Sequence, residues 1–217
     1  NESNNSVKKV LDLMRKNKLI NDYYSVKVIK KIPVFAGFGG GTSNAASILK
    51  YLAKKKYNKK IFDKIINEVG SDLRLFSYSL GYQKNLKFVI PMKKKYKLYF
   101  LLVFPKIKSS TKSVYSKIKK FSKLKFFLKK NLYSREDFIS SLINLKNDLQ
   151  SIVEKRHPII NRLLIDISVD NACLFSRMTG SGSALYGMFV NKKCSIVALK
   201  KLRKKYPKYW FSIAKTI

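Results

Sequence analysis

Four glycines fall within five residues, at Gly37, Gly39, Gly40 and Gly41, with Pro33, Val34, Phe35 and Ala36 before them and Phe38 among them. Thr42 and Ser43 follow directly, and Asn44-Ala45-Ala46 runs on into a helix-like segment. This layout suits a phosphate cradle. Glycine lets successive backbone N–H groups turn toward one anion without Cβ interference. A helix that starts there adds its unpaired N–H groups and the positive end of its dipole. Thr42 and Ser43 are expected to cap that helix or to reach a phosphate or a metal ion. A purely structural turn explains less of the pattern, because turns seldom need four glycines followed by a cap. Two well-known phosphate loops do not fit. No lysine lies between Pro33 and Ala46, as a Walker A loop requires. Counted from Gly37, the last glycine of a dinucleotide fingerprint falls on Thr42.

Two other places bear on chemistry. Asp72 follows Gly70-Ser71 in an expected loop before Leu75 and Phe76. Taken alone, its carboxylate reads as a cap of the next segment. Gly180, Ser181, Gly182 and Ser183, taken alone, read as a tight hairpin. Beside a second glycine-rich loop and an intervening aspartate, they suggest two walls of one cleft. His157, the single histidine, precedes Pro158 and has no triad or metal set near it in sequence, so it reads as structural.

At these residues the chain resembles a known family. The run from Gly37 to Ala46 resembles motif two of the GHMP kinases, and its longer form resembles the branch acting on 4-diphosphocytidyl-2-C-methyl-D-erythritol. Gly70-Ser71-Asp72 resembles the family's Gly-Ala-Asp. Phe104-Pro105 to Ser110-Thr111 and Tyr115 resembles its Pro-x-x-x-x-Ser-Thr-x-x-x-Tyr segment. Asn147-Asp148-Leu149-Gln150 resembles Asn-Asp-Leu-Glu, and Met178-Thr179-Gly180-Ser181-Gly182-Ser183-Ala184 resembles motif three.

The resemblance implies an α+β fold in two lobes. The N-terminal lobe, residues 1–95, is expected to be like the second domain of ribosomal protein S5 and incomplete. The C-terminal lobe, residues 96–217, is expected to be ferredoxin-like. It further implies that Pro33 to Ser43 hold ATP, that Asp72 is catalytic, and that Gly180 to Ser183 line the substrate side. Mg2+ is expected with ATP, with Ser43, or else Thr42, as its hydroxyl ligand. The implied reaction transfers phosphate from ATP to the 2-hydroxyl of the cytidine-diphosphate-linked methylerythritol, in a cytoplasmic monomer or weak homodimer. The branch also implies a stretch upstream of Asn1 that carries a lysine, an asparagine and aromatic residues for the cytosine. Asp72 is followed by Leu73-Arg74 where the family usually has Val-Pro, and no Gly-x-Gly-Glu segment stands between Leu80 and Pro91. Three other readings stay beside this one: a homoserine- or mevalonate-type kinase, a basic RNA-associated protein with an S5-like lobe, and a homologue that binds without catalysis. Asn44, where many relatives have alanine, argues against the first.

Periodicity sets out the elements that must carry these residues. Helices are expected over Ser6–Lys16, from about Ser43 to Lys55, and from about Ile61 to Val69, closed by Gly70. Val26 and Val28 alternate with polar residues and predict a strand leading to Pro33. Tyr96 to Phe104 predicts a buried strand, and the domain boundary is placed just before it. Phe121, Leu124, Phe127 and Leu128 predict one helical face, and Phe138, Leu142, Leu145, Leu149 and Ile152 another. Ile159, Ile160, Leu163, Leu164 and Ile167 predict a third. Asn171 is expected in a left-handed turn. Strands are expected over Ala172 to Arg177 and Ala184 to Val190, then a helix over Lys192–Lys205 and an edge strand over Tyr209 to Ala214.

The 217 residues, 46% of them hydrophobic, are enough for a folded core. Lysine and arginine number 47 against 12 acidic residues, for a net charge of +35. Such charge invites a nucleic-acid reading. The lysines are spread along the whole chain, however, and no zinc-finger spacing or RNP1-like motif accompanies them, so no specific nucleic-acid partner is expected. The longest apolar run, Leu98 to Phe104 between Lys97 and Pro105, falls well short of the ~20 residues of a membrane span, and no membrane partner is expected. Cys173 and Cys194 show no paired spacing, and Cys173 reads as a buried thiol in a reducing compartment.

Overall fold

A computed structural model describes residues 5–53, 58–92, 96–122 and 134–216. The chain separates into two compact units, one of Asn1–Lys31 with Gly39–Lys95, the other of Ile32–Phe38 with Tyr96–Ile217. The short segment Ile32–Phe38 therefore groups with the second unit, although the residues on both sides of it group with the first.

The first unit is built on three helices. Helix α1, Ser6–Lys16, starts where the Asn5 side chain accepts from Val7 N–H at 2.9 Å, and Arg15 and Lys16 lie in its last turn, where cations suit the dipole. Helix α2 is Gly40–Leu52 and helix α3 is Lys59–Val69. Asn58 caps α3 by accepting from Lys60 and Ile61, and Gly70 closes it at φ 149°. A 3-10 helix follows over Ser71–Ser77, then the antiparallel strands β1, Gly81–Gln83, and β2, Val89–Pro91. Val10, Met14, Ala45, Leu49, Ile65 and Leu73 are buried together as its core. Burial of each larger side chain among them is worth roughly 1.5–3 kcal/mol.

The second unit is a sheet with helices. Its strands are β3, Tyr99–Phe104, β4, Cys173–Met178, β5, Leu185–Phe189, and β6, Trp210–Lys215. Between β3 and β4 come α4, Thr111–Tyr115, α5, Arg135–Ile143, α6, Gln150–Arg156, and α7, Pro158–Ser168. Helix α8, Lys192–Lys205, joins β5 to β6 and is capped by Asn191. The sheet order is β4-β5-β3-β6 and every neighbouring pair is antiparallel. This is the split β-α-β-β-α-β arrangement of ferredoxin-like folds, with α4 to α6 added ahead of α7. Leu101 and Val103 of β3 pack with Leu185, Phe189, Leu163, Ile167 and Ala198 in one core.

Several expectations change here. Residues 21–32 form no strand: Tyr23, Val26, Val28 and Ile29 are exposed, and among the described residues no neighbouring strand pairs with them. A period-2 pattern needs such a ladder to become a strand. The face read from Phe138 to Ile152 is split between α5 and α6, because Asn144 ends the first and Asn147 turns its side chain onto backbone. Asn171 does not take a positive φ. Cys173 is half-buried rather than fully buried, and burial pushes its thiol up to about 11. His157 caps α7 through its carbonyl, which accepts from Ile160 N–H. Leu124, Phe127 and Leu128 lie outside the described residues. No described helix is long and apolar enough to cross a membrane.

Helices α7 and α8 are clasped by one polar cluster. Tyr206 donates to Asp166, and Lys205 Nζ stands 2.7 Å from Asp166 Oδ2. Burial would raise the Asp166 carboxyl, but hydrogen bonds from Lys205 and Tyr206 outweigh it and hold the pKa below its ordinary value. Burial, with the Asp166 bond, pushes Tyr206 up to about 12. A tyrosine whose folded pKa is raised stabilises the fold fully below its unfolded pKa of about 10 and loses that contribution as pH climbs through the folded value. The lowered Asp166 pKa works at the other end, adding stability above about pH 4 that fades in acid. Urea unfolding of the protein across pH 9 to 12 is thus expected to show falling stability, and Tyr206→Phe to flatten that slope.

Candidate functional site

In the first unit, α2 begins three residues before the expected start. Gly39 is its N-cap in the left-handed region at φ 67°, with no side-chain cap, and the first intrahelical bond runs from Ser43 N–H to Gly39 O at 2.8 Å. Thr42 and Ser43 thus sit inside the first turn and do not cap it. The N–H groups of Gly40, Gly41 and Thr42 precede that first bond and meet no acceptor among the described residues. A Cβ on Gly40 would meet no protein atom within 4 Å. No described neighbour demands glycine at this position.

Asp72 lies in the first turn of the 3-10 helix, not in an irregular loop, and it is exposed. The same helix reaches α2 through Phe76, whose ring lies 3.1 Å from the position of a Cβ on Gly39. The first unit therefore places these amides and Asp72 on two elements packed on each other. Arg74, the departure from the family's proline, points to α3: it pairs with Asp63 and donates from Nη2 to Asn67 Oδ1 at 3.2 Å. Its Nε is buried without a partner among the described residues.

In the second unit, the loop Thr179–Ser183 collects several separate segments of the chain. Ala184 N–H donates to Ala36 O at 3.1 Å, and the Thr179 hydroxyl to Gly37 O, also at 3.1 Å. From the stretch after β3, the Ser109 hydroxyl donates to Ser181 O and the Thr111 hydroxyl meets that of Ser181, each at 2.8 Å. Ser183 is fully buried and donates to Ile107 O, so its hydroxyl braces the loop and is not offered to a ligand. Asn147 donates to Met178 O at 2.9 Å and to Gly180 O at 2.8 Å, while Gln150 Oε1 accepts from Met178 N–H at 2.9 Å. Below the turn, Ala36, Phe104 and Ala184 are buried with Phe38 and Trp210 against them. Pro33 is half-buried, whereas Val34 and Phe35 are exposed, with Lys108 Nζ 5.7 Å from the Phe35 ring centre. Asn147, Gln150 and Ser109 acquire roles that sequence spacing alone does not reveal, although all three lie in stretches whose motifs are legible. Among the described residues no three His, Cys, Asp or Glu side chains gather as a metal-holding group.

Gly37 cannot be another residue without rearrangement. It takes φ 79°, and a Cβ there would lie 2.8 Å from Gly182 O and 3.1 Å from Thr179 O. Gly37→Ala is expected to destabilise the protein by about 1–3 kcal/mol, the usual cost of a strained backbone position, read as a lower denaturant midpoint.

Known proteins resemble this chain in sequence and in fold. The sequence model described as GHMP kinases N terminal domain matches residues 5–75. A 4-diphosphocytidyl-2-C-methyl-D-erythritol kinase of Pelagibacter ubique is 34% identical over 98% of this chain and 76% of its own length. One from Anaplasma phagocytophilum is 34% identical over 88% of this chain and 65% of its own length. Among solved structures, a 4-(cytidine 5'-diphospho)-2C-methyl-D-erythritol kinase superposes with a TM-score of 0.73 at 18% identity, covering 97% of this chain and 78% of that one. A homoserine kinase from Cytophaga hutchinsonii superposes with a TM-score of 0.68 at 12% identity, covering 100% of this chain and 77% of that one. At these identities the superpositions speak for the fold.

Proposed function

The chain belongs to the GHMP kinase family, and from that premise we propose that it transfers the γ-phosphoryl group of ATP to the 2-hydroxyl of 4-diphosphocytidyl-2-C-methyl-D-erythritol. The observation that carries this reading is the 34% identity to a kinase of that name across 98% of the chain. The homoserine kinase shares the fold at 12% identity and gives no comparable support for its own substrate.

The residues present fit the phosphates of ATP. The amides of Gly40, Gly41 and Thr42 meet no acceptor among the described residues, the helix dipole adds positive potential, and glycine at 40 leaves the approach open. A magnesium ion bound with the nucleotide supplies charge neutralisation on the phosphate oxygens, and the Ser43 hydroxyl in the first turn is its candidate protein ligand. Asp72 takes the role of orienting the substrate hydroxyl and accepting its proton as oxygen bonds to the γ-phosphorus. The bond from the γ-phosphorus to the bridging oxygen breaks, and ADP leaves. Positioning of this kind, with electrostatic stabilisation, accounts for most of phosphoryl transfer. The loop Thr179–Ser183 takes the substrate side through its backbone and the Ser181 hydroxyl. Work in the cytoplasm on a small molecule follows from the same reading.

ADP release by the full-length protein, followed with the cytidine-diphosphate substrate and with homoserine, tests the proposal. Activity with the cytidine substrate alone is the expected result, and activity with homoserine alone would overturn it. Asp72→Asn is expected to lower kcat by two or more orders of magnitude, roughly what loss of a general base costs, with ATP affinity nearly intact. An unchanged rate removes Asp72 from the mechanism. Gly40→Val is expected to weaken nucleotide binding at least tenfold in a titration while leaving the thermal midpoint within a few degrees, because its side chain would enter space that only a ligand uses.

A further inference from the structure

We propose that Asn147 is a positioning residue of the substrate-side loop Thr179–Ser183, whose backbone it holds in shape. Asn147 lies in the connection between α5 and α6. Its amide nitrogen donates to Met178 O at 2.9 Å and to Gly180 O at 2.8 Å, and its Oδ1 accepts from Leu149 N–H at 3.0 Å. Both amide hydrogens are thereby used, and the third bond settles which end of the amide is oxygen. The two gripped carbonyls flank Thr179, whose hydroxyl donates to Gly37 O. One side chain thus fixes the Met178–Thr179 and Gly180–Ser181 peptides around the residue that holds Gly37.

Both main-chain groups of Met178 are held by the same short stretch. Its carbonyl goes to Asn147 and its N–H to Gln150 Oε1 at 2.9 Å, while Gln150 Nε2 donates to Glu154 at 2.9 Å. Gly180 is the position where this bracing matters most, since it is exposed, takes φ 51° and has no side chain to anchor it. Few residue types can replace Asn147. Aspartate would set carboxylate oxygens against two carbonyl oxygens. Glutamine, one methylene longer, could not hold both carbonyls and still close the local bond to Leu149 N–H.

The proposal rests on the kinase reading, and the experiment separates the two. Asn147→Asp and Asn147→Ala are made in the full-length protein, with Ser168→Ala as control. Ser168 shares a hydrogen bond with Ser176 on α7 and β4 of the same unit, so the control loses a bond that does not touch the loop. Steady-state kinetics, thermal midpoints and Trp210 emission are recorded for each. Trp210 is the single tryptophan and packs on Phe38 at 6.1 Å between ring centres, so it reports the glycine-rich run without an added probe. The expected result is a kcat reduced at least tenfold and a KM for the cytidine substrate raised severalfold in both Asn147 variants, with altered Trp210 emission before nucleotide is added. Ser168→Ala should keep parental kinetics and emission. Folded Asn147 variants with kcat, KM and emission within twofold of the parent would overturn the proposal. If the Asp variant does not fold, the Ala variant, which adds no charge, decides. If the parent itself shows no ATP-dependent transfer, the kinase reading fails. The positioning claim is then judged on nucleotide-free Trp210 emission, upheld by a shift in the Asn147 variants and overturned by parental spectra.

Discussion

The carbonyl oxygens of Ala36 and Gly37 anchor the second unit's part of the site. They accept from Ala184 N–H and from the Thr179 hydroxyl, and this pairing holds the Ala36–Gly37 segment against the Thr179–Ala184 turn although the two are far apart in the chain. The approach is so close that a single Cβ on Gly37 would strike Gly182 O. Backbone in such contact must be satisfied by hydrogen bonds, because unpaired buried groups cost roughly 1–3 kcal/mol each. The hydroxyls of Ser109, Thr111 and Ser183 and the amides of Asn147 and Gln150 meet that need. The motif segments of the C-terminal half are therefore parts of one hydrogen-bonded brace. Only some of their atoms are left over to meet a ligand.

The charge of the chain is of a different order. Forty-seven basic residues face 12 acidic ones, so most cations have no carboxylate to pair with. Two of the ion pairs join elements, Asp63 to Arg74 and Asp166 to Lys205, whereas Asp12–Arg15 and Glu136–Arg135 lie within single helices. Exposed pairs contribute little, and these partly buried ones matter through the hydrogen bonds that accompany them. The remaining positive field favours approach of an anionic substrate in general without selecting one.

Much of the architecture was legible in the residues. Helices α1 and α8 appear at Ser6–Lys16 and Lys192–Lys205 as read, because each has an asparagine cap and an apolar stripe of local period. The start of α2 was misplaced for a physical reason. Its cap is Gly39 in a left-handed conformation, which leaves no side-chain signature and allows the helix to begin among glycines. The interruption at Asn147 was hidden because apolar spacing continues from Phe138 through Ile152 while the polar side chain between them turns to distant carbonyls. Val26 and Val28 show the converse, an alternating pattern with no ladder to join among the described residues. Motifs could be read because the chemistry repeats local residue types; the bonds tying them together span 28 residues or more and have no local signature.

Arg74 carries a lesson about inheritance. Where the family usually has proline, this chain has a guanidinium tied to Asp63 and Asn67 on α3, with its remaining nitrogen sealed inside. Restoring proline alone would leave the Asp63 carboxylate without its cation, and changing Asp63 alone would strand a buried positive charge. Positions 63, 67 and 74 are therefore coupled, and exchanging this arrangement for another takes a joint change, since each single one leaves a charge or a polar group without its partner.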